Sequence, residues 1–402
     1  MKKYNFDEII DRTNTYSAKF DELEMKFGRK DLIPMWIADM DFKTAPEIIE
    51  SLKSRIEEGI WGYTSRPDEY FEAVRNWQIY KNGWSPETKY MSHALGVLPM
   101  LANLCASVLE EGKSRVILQT PVFSEFKTVL DNWGMEIIYN PLKRNGTDYE
   151  IDFDDLEVKS KEADFIIFCN PHNPIGKVWK KEDVQRMAEI CVKNDVMIIS
   201  DEMYSDIMLW GNKHTPTASI SEEIRQRTIT CTSLGKTFNL AGVQVATCIF
   251  PNEELKAKYE KILAKFETKR NNAFSVVANQ VAMNEGKEWF EEVTKYLEDN
   301  IEFAMNYISD NIPQIKFTKP EGTYLLWLDC RGLKLTQEEL VSFFVNDARI
   351  ALNDGITFGE EGRGYMRMNM ASPREVILTA LTQLEQAVNK LNNDKYDRIM
   401  GC

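Results

Sequence analysis

From residue 97 onward, short apolar segments alternate with amphipathic ones, and this alternation constrains the fold most strongly. The apolar segments are rich in β-branched residues and bounded by turn residues: RVILQTP, MEIIYNPL, DFIIFCNP, VMIISDE, RTITCTS and VQVATCIFP. Between them lie helical patterns such as KEDVQRMAEICVKN, which has apolar residues at Val184, Met187, Ala188, Ile190 and Cys191. Nearly continuous apolar strands that alternate with helices predict an α/β fold, with a parallel sheet covered by helices on both faces.

The sequence pattern changes after residue 285. A long charged helical pattern is followed by GTYLLWLD, a helix, ARIALNDG, GYMRMNMA and a last helix from about 374 to 392, which indicates a smaller α+β domain. Hydrophobic cores stop growing at roughly 250–300 residues, so two domains are expected for a chain of this length. We predict a segment 1–45 that joins the small domain, a large cofactor-binding domain 46–284, and a small C-terminal α+β domain 285–402.

Charge and composition argue against several classes of partner. The formal net charge is −14 and the sequence has no basic stripe, so nucleic acid is not an expected partner. No apolar run approaches the ~20 residues of a membrane span, and the N-terminus lacks the apolar region of a secretory signal. The seven cysteines are scattered and show no CxxC spacing. These features predict a cytoplasmic protein with reduced thiols, no membrane contact and no metal site.

Polar residues that directly follow a strand are candidates for a binding site, because ligands of parallel sheets bind beyond the carboxyl ends of the strands. Asn173 lies in NPHNPIG, where two Asn-Pro steps force a tight, extended turn. Its amide either faces a ligand or is that of a plain turn asparagine. Asp201 directly follows VMIIS, and Tyr204 comes three residues later. The carboxylate of Asp201 either meets a cation or donor, or caps the next helix.

Lys236 is the only charged residue between Thr228 and Asn252. An amine in an apolar setting loses hydration, so its pKa falls and the neutral amine becomes available as a nucleophile and base. This reading favours Schiff-base chemistry. The alternative is a lysine whose long side chain reaches the surface.

A fourth segment, SHALGVLPMLANLCASVLEEG, places Gly96 at the start of an amphipathic helix. The backbone N–H groups of Val97 and Leu98 then lie at the helix N-terminus, which is either an anion site or an ordinary helix entry. Together, the four segments supply an anion site, an amide, a carboxylate with a phenol, and a lone lysine. These groups suit a phosphate, a phenolic oxygen, a pyridine nitrogen and an aldehyde, so the set indicates pyridoxal 5′-phosphate (PLP) as the cofactor.

The motifs NPHNPIG, SDEMYSDI, SLGKTFNLAG and MRMNMASPR occur in the order and spacing of the class I/II aminotransferase superfamily. The chain therefore resembles fold-type I PLP enzymes over nearly its whole length. IPMWIADMDFKTAPEI and WGYTSRPDEY, with KTFNLAG, resemble one branch, the cystathionine β-lyase-like carbon–sulfur lyases. The resemblance implies a large domain with a mostly parallel, seven-stranded sheet between helices and a small α+β domain. It also implies a homodimer whose active site is shared across the interface.

The resemblance assigns roles in cofactor binding. Lys236 would form the Schiff base, Asp201 would pair with the protonated ring nitrogen, and Tyr204 and Asn173 would contact the phenolic oxygen. Tyr63 would reach the phosphate or the active site of a neighbouring subunit. The other implied contacts are with the phosphate and with the face of the ring: Gly96, Val97, Leu98 and Ser233 for the phosphate, and Phe123 for the ring.

Arg367 would hold the α-carboxylate of a small amino-acid substrate by a bidentate fork, with Ala38 and Asn173 contributing from the other side. From the residues alone, the alternative for Arg367 is an internal ion pair within the small domain.

Three positions depart from the family pattern. Phe123 stands where a tyrosine is common, Gly235 where a small hydroxyl residue is frequent, and Gln244 where many members have an arginine. The phosphate would then depend more on backbone amides and the helix dipole. His93 lies near the phosphate loop and receives no role.

The activity that the resemblance implies is an α,β-elimination on L-cystathionine or a similar cysteine S-conjugate, yielding homocysteine or another thiol, pyruvate and ammonia. Lys236 would remove the Cα proton, and Tyr63, Tyr204 or Lys236 would protonate the leaving sulfur. Homocysteine as a product would place the enzyme in methionine biosynthesis. An aminotransferase that uses the same lysine is the first alternative, and a regulatory binder that keeps the fold is the second.

Overall fold

The computed structural model describes the backbone of residues 4–400 and the side chains of residues 4–108 and 110–393. Its strands are β1 (Ile33–Pro34), β2 (Met91–Ala94), β3 (Arg115–Leu118), β4 (Glu136–Tyr139), β5 (Lys143–Asn145), β6 (Asp148–Glu150), β7 (Phe165–Cys169), β8 (Met197–Asp201), β9 (Thr228–Thr232), β10 (Ala246–Ile249), β11 (Lys316–Thr318), β12 (Leu325–Asp329), β13 (Ile350–Ala351), β14 (Asn353–Asp354) and β15 (Tyr365–Asn369).

The α-helices are α1 (Ala18–Asp21), α2 (Leu23–Phe27), α3 (Pro46–Glu57), α4 (Asp68–Asn82), α5 (Val97–Leu109), α6 (Ser124–Asn132), α7 (Phe153–Lys159), α8 (Lys181–Lys193), α9 (Glu222–Arg225), α10 (Glu253–Lys265), α11 (Ser275–Glu285), α12 (Lys287–Asn311), α13 (Gln337–Ser342) and α14 (Arg374–Met400). The last helix therefore extends beyond residue 392, where the sequence pattern predicted its end.

The larger sheet has seven strands in the order β2-β10-β9-β8-β7-β3-β4. Strands β4, β3, β7, β8 and β9 are parallel neighbours, and β10 is antiparallel to both β9 and β2. This arrangement confirms the predicted α/β class with a mostly parallel, seven-stranded sheet.

Both faces of this sheet are buried, which explains why its strands are continuously apolar. On β3, Val116 and Leu118 pack into one hydrophobic cluster, which includes Leu101 of α5, whereas Ile117 packs into another, which includes Met187 of α8. Successive side chains of a strand point to opposite faces, so a strand covered on both sides has no polar face. Helices therefore lie on both faces of the sheet, as the alternation of segments predicts.

A second sheet has four antiparallel strands in the order β11-β12-β15-β14. The long helices α12 and α14 share its hydrophobic cluster, through residues such as Leu297 and Leu381. Strand β1 pairs in parallel with β13, so the N-terminal segment is joined by backbone to the C-terminal part.

Six cysteines within the described chain are buried and unpaired. Five of them lie in elements of the seven-stranded sheet and its helices, and the sixth directly follows β12: Cys105, Cys169, Cys191, Cys231, Cys248 and Cys330. In residues 4–400, no helix combines the length and the apolar character that a bilayer span requires.

Candidate active site

One cavity of about 380 Å³ brings together the predicted site residues, with a single exception. Because the carboxyl ends of parallel strands meet at one edge of a sheet, the segments that follow β3, β7, β8 and β9 converge there. The loop after β2 and the segments 36–38 and 353–367 complete the wall. The predicted residues in its lining are Ala38, Gly96, Val97, Leu98, Phe123, Asn173, Asp201, Tyr204, Ser233, Lys236 and Arg367.

Tyr63 is the exception. Its side chain is 95% exposed and does not line the cavity of its own chain. The guanidinium carbon of Arg270 lies 5.7 Å from the centre of the Tyr63 ring. A role for Tyr63 at an active site therefore requires a second subunit.

Lys236 follows β9 in a turn that points its amine into the cavity. Its Nζ donates a hydrogen bond of 2.6 Å to the carbonyl oxygen of Ala38. Burial lowers the pKa of Lys236 to about 8, and the charge of Arg367 acts in the same direction, whereas Asp39 and Asp201 oppose the shift. Much of the amine is therefore neutral and nucleophilic slightly above neutral pH, as the uncharged flanking sequence predicts.

Asp201 ends β8 and is 6% exposed. Its Oδ1 accepts a hydrogen bond of 3.2 Å from the backbone N–H of Met203, and its Oδ2 lies 3.6 Å from the thiol of Cys169. Burial raises the pKa of Asp201 to about 6. Within the described chain no lysine or arginine forms an ion pair with this carboxylate, so it is placed to accept a cationic group from a ligand.

The hydroxyl of Tyr204 is buried and has no hydrogen-bond partner of ordinary geometry among the described residues. The ring packs edge-on against Tyr324, with 5.5 Å between the ring centres. Buried polar groups are nearly always satisfied in folded proteins, so an unsatisfied hydroxyl in a cavity wall indicates a missing ligand atom.

Arg367, on β15, is 4% exposed and has no carboxylate partner in the part of the chain that is described. Its Nη1 donates to Asn173 Oδ1 at 2.9 Å, and its Nη2 donates to Asn353 Oδ1 at 2.7 Å and to the carbonyl of Trp36 at 2.9 Å. The guanidinium carbon lies 5.0 Å from the ring centre of Phe358. The structure therefore does not show the ion pair considered for Arg367, and the buried cation suits an anionic ligand.

The predicted phosphate end of the cavity combines a helix start with neutral groups. Gly96 caps the 13-residue helix α5, and Val97 and Leu98 are its first residues. The hydroxyl of Ser233 is already engaged, since it donates to the carbonyl of Val245 at 2.7 Å and accepts from the N–H of Gly235 at 3.0 Å. A contact between Ser233 and a phosphate would therefore replace the bond to Val245.

Residues 36–42 form a segment whose first three residues line the cavity, and we call this segment the strap. The carbonyl of Ala38 accepts hydrogen bonds from Lys236 and, at 2.9 Å, from the hydroxyl of Tyr324. Asn239 donates to the carbonyl of Met40 at 2.9 Å and to that of Phe42 at 3.1 Å. Side chains from the loop after β9 and from the residue before β12 thus fix the backbone of the strap.

A charged cluster anchors the strap from behind. Lys19 is fully buried and pairs with Asp41 at 2.8 Å and with Asp39 at 3.3 Å. Arg12 pairs with the same two carboxylates, at 2.6 Å to Asp41 and 2.8 Å to Asp39. The hydroxyl of Ser372 also donates to Asp41, at 2.6 Å.

Asn353, Phe358 and Tyr324 are among the residues of the cavity and its frame that sequence reasoning missed. Asn353 lies on a two-residue strand, which is too short to produce a pattern. Tyr324 begins the apolar segment YLLWL, and Phe358 lies in the turn-rich segment GITFGEE. Neither aromatic residue can be distinguished from a core residue by periodicity. Asn353 could have been suspected, because it is polar and follows the apolar segment RIAL.

The family model described as aminotransferase class I and II matches residues 96–384. The chain is 35% identical to cystathionine β-lyase PatB of Bacillus subtilis, over 96% of this chain and all of that protein. It is 28% identical to protein MalY of Escherichia coli, over 96% of this chain and 99% of that protein.

Two solved structures agree closely with the fold. A PLP-bound putative aminotransferase from Clostridium difficile 630 has a TM-score of 0.94 and 44% identity, covering 96% of this chain and 100% of that one. Cystalysin from Treponema denticola, which contains PLP, has a TM-score of 0.92 and 33% identity, covering 96% of this chain and 99% of that one.

The residues of this cavity fit PLP on their own chemistry. The unsatisfied hydroxyl of Tyr204, the carboxylate of Asp201 without a cation, and the amine of Lys236 with its lowered pKa correspond to the phenolic oxygen, ring nitrogen and aldehyde of the cofactor. The chain therefore belongs to the class I and II aminotransferase family of fold-type I, PLP-dependent enzymes, in the carbon–sulfur lyase branch.

Proposed function

We propose that the protein is a PLP-dependent carbon–sulfur β-lyase. Its reaction is the α,β-elimination of L-cystathionine or a similar cysteine S-conjugate to a thiol, pyruvate and ammonia. The observation that carries this proposal is that one cavity holds both a buried arginine without a counter-ion, Arg367, and the nucleophilic amine of Lys236. An amino-acid substrate needs these two groups for its carboxylate and its Cα proton. The full-length similarity to cystathionine β-lyase PatB supports the type of reaction.

In this proposal the cofactor is held as follows. Lys236 binds the aldehyde carbon, Asp201 the ring nitrogen, and Tyr204 and Asn173 the phenolic oxygen. Phe123 packs on the ring. The phosphate site is formed by the start of α5 and one hydroxyl: Gly96, Val97, Leu98 and Ser233.

The chain's own residues position the substrate and move protons. When bound, PLP supplies an electron sink for the negative charge that develops at Cα. Arg367 binds the α-carboxylate, with Asn173 and Ala38 beside it. Lys236, with a pKa of about 8, accepts the Cα proton as a general base near neutral pH. The leaving sulfur takes a proton from Lys236, Tyr204, or Tyr63 of a second subunit.

The test is incubation of the PLP-loaded protein with L-cystathionine in the absence of any keto acid. We expect repeated turnover, measured as equal amounts of pyruvate and free thiol well in excess of enzyme. One specific observation favours an aminotransferase instead, namely the high identity to the putative aminotransferase of Clostridium difficile 630. A single turnover that requires a keto acid to restart would establish transamination and overturn the lyase proposal.

We further propose a homodimer in which Tyr63 completes the active site of the other subunit. In support, an apolar and aromatic surface surrounds this residue: Ile60 is 79% exposed, Trp61 55% and Tyr63 95%. Exposed apolar patches of this kind are typical of protein interfaces.

The division into residues 1–45, 46–284 and 285–402 is retained as a proposal. Two separate sheets, on either side of residue 285, support it, and the β1–β13 pairing supports a link between the N-terminal segment and the small domain. A cytoplasmic location rests on the cysteine pattern, and a place in methionine biosynthesis on homocysteine as the product.

A further inference from the structure

Three of the five N–H groups on the guanidinium of Arg367 are engaged by the protein itself. Nη1 donates to Asn173, whereas Nη2 donates both to Asn353 and to the carbonyl of Trp36, so both of its hydrogens are in use. Nε is buried and has no hydrogen-bond partner among the described residues. An arginine binds a carboxylate in a fork through two neighbouring nitrogens, and each such pair includes Nη2. A substrate carboxylate can therefore form this fork only if Trp36 or Asn353 gives up its hydrogen bond to Nη2.

The carbonyl of Trp36 is fixed by contacts on both sides of the residue. The preceding carbonyl, that of Met35, accepts from the backbone N–H of Asn369 at 2.9 Å. The following carbonyl, that of Ile37, accepts from the side chain of Asn369 at 2.7 Å. The indole N–H of Trp36 also donates to the carbonyl of Lys19, at 3.0 Å. Because a shift of this carbonyl would disturb these bonds, we expect Trp36 to keep its hydrogen bond to Nη2.

The side-chain amide of Asn353 is held by a single hydrogen bond. Its Oδ1 accepts from Nη2 of Arg367 at 2.7 Å, and its Nδ2 has no partner among the described residues. Asn353 lies in the cavity wall, on strand β14, directly opposite Arg367 on β15. Rotation about the last side-chain bond exchanges the amide oxygen for the nitrogen and leaves the backbone in place. Asn353 can therefore change from an acceptor for Arg367 to a donor for a bound carboxylate.

We propose that Asn353 is a substrate-binding residue whose amide turns over when the α-carboxylate of the substrate binds. In the ligand-free site its Oδ1 takes the place of one carboxylate oxygen, which keeps the buried guanidinium hydrogen-bonded. In the complex its Nδ2 donates to the carboxylate, while Trp36 and Asn173 keep their bonds to the guanidinium. The proposal rests on the proposed role of Arg367 in binding that carboxylate.

The test measures how strongly the site prefers a carboxylate to a neutral amide. L-Alanine and L-alaninamide share the amino group and the methyl side chain, and neither has a β leaving group, so the test does not depend on elimination. The absorbance of bound PLP in the first seconds after mixing gives Kd for each ligand, expressed for the neutral amine. The ratio of Kd for alaninamide to Kd for alanine is the carboxylate preference, which we expect to be about tenfold or more in the wild type.

Two substitutions of Asn353 separate the proposed role from a structural one. Asn353→Ala removes the donor, and we expect the carboxylate preference to fall about fivefold. Asn353→Asp keeps the acceptor oxygen but has no amide donor and adds a negative charge, so the fall should be larger, about 30-fold. A purely structural role in holding Arg367 predicts the opposite order, because aspartate preserves the bond to the guanidinium and alanine does not.

Asn346→Asp is the matched control. Asn346 is exposed, and its side chain donates to the hydroxyl of Ser342 at 3.1 Å, so this variant should keep the wild-type preference. Binding of alaninamide, which lacks the charge, shows whether each variant retains an intact cofactor site.

An unchanged or increased preference in Asn353→Ala would overturn the proposal, as would a fall in Asn353→Asp that is no larger than that in Asn353→Ala. Either result leaves the role of Arg367 and the lyase function standing. A wild type that binds alaninamide as tightly as alanine would instead overturn the role of Arg367 and that of Asn353 together.

Discussion

Lys236, Asp201 and Arg367 are three ionisable groups in one cavity, and none of them forms an ion pair with another described residue. Burial is the largest influence on each: it lowers the pKa of Lys236 and of Arg367 and raises that of Asp201. Each group is thus buried without an opposite charge beside it. A ligand of opposite charge would stabilise Asp201 or Arg367, and an aldehyde would react with Lys236. Binding of such a ligand would therefore offset the electrostatic cost of burying these groups.

The first prediction concerns the pH dependence of cofactor loading. The neutral amine of Lys236 must attack the aldehyde of PLP, so loading of the cofactor-free protein should speed up as pH rises through about 8. Between pH 7 and 9 the neutral fraction, and with it the rate, should rise about tenfold. Stopped-flow absorbance of bound PLP measures this rate. A midpoint near the ordinary lysine value of 10.5 would contradict the burial argument, and Lys236→Ala should show no covalent band.

The second prediction concerns substrate binding. Arg367→Lys keeps the positive charge but loses the planar fork, so we expect kcat/KM for L-cystathionine to fall by roughly 30- to 100-fold, with most of the loss in KM. Arg363→Lys is the control, since Arg363 is 58% exposed and pairs only with Glu360, and its kcat/KM should change less than twofold. If both substitutions had equally small effects on kcat/KM, the role of Arg367 in binding the α-carboxylate would be contradicted.

Among the elements, the strap is the one whose position depends most on distant residues. Asn369 holds two of its carbonyls, those of Ile37 at 2.7 Å and Asp39 at 2.6 Å. Asn239 lies in the same loop as Lys236 and donates hydrogen bonds to two further carbonyls of the strap, those of Met40 and Phe42. The same loop therefore positions both the amine and the strap. Displacement of the strap would therefore disturb the amine.

The third prediction tests the anchor of the strap. Lys19→Met would leave Asp39 and Asp41 with Arg12 as their only cation, which places uncompensated charge in the interior. We expect a loss of about 3 kcal/mol in the free energy of unfolding, measured by urea denaturation. Lys43→Met removes a pair with Glu8 whose side chains are 61% and 43% exposed, and it should cost less than about 1 kcal/mol. A comparable cost for the two variants would show that the cluster does not anchor the strap.

The elements that sequence reasoning predicted and missed differ in burial pattern. Strands such as β7, Phe165–Cys169, are buried on both faces, so their apolar runs are unmistakable. Strand β2 was missed because it carries Ser92 and His93, although all four of its residues are buried. His93 is tolerated there because burial lowers its pKa to about 4 and keeps the ring neutral. Polar residues within an edge strand are determined by tertiary packing, which periodicity does not report.

Site residues could be predicted from the sequence where a reactive side chain directly follows a strand. Contacts between distant parts of the chain could not be predicted in this way. Lys236 and Asp201 are marked by their local sequence. The contacts of Arg367 with Asn353 and with the strap join segments that are hundreds of residues apart or lie on very short strands. No local pattern encodes such contacts, since they arise only when the two sheets pack together.

At the scale of the whole molecule, the proposed dimer leads to a fourth prediction. Lys236→Ala and Tyr63→Ala should each be nearly inactive, but in a hybrid dimer one of the two active sites would combine a normal Lys236 with a normal Tyr63. Random reassociation of an equal mixture should therefore restore about one quarter of wild-type activity.

Lys236→Ala mixed with Asp201→Asn is the matched control. Both residues belong to the cavity of a single chain, so every site in the hybrid would carry one defect and activity should stay low. Recovery in neither mixture would contradict a shared active site, and a monomer by sedimentation would contradict the dimer itself.

The buried thiols can be used to follow local unfolding of the protein by chemical modification. A thiol reacts as the thiolate, and burial raises the pKa of Cys105 and of Cys191 to about 12, so neither reacts while its surroundings stay packed. Five buried thiols lie around the seven-stranded sheet, whereas Cys330 follows a strand of the four-stranded sheet. Alkylation of the native protein would therefore proceed at the rates at which these regions open, and the order in which the cysteines are modified would reveal which sheet loosens first.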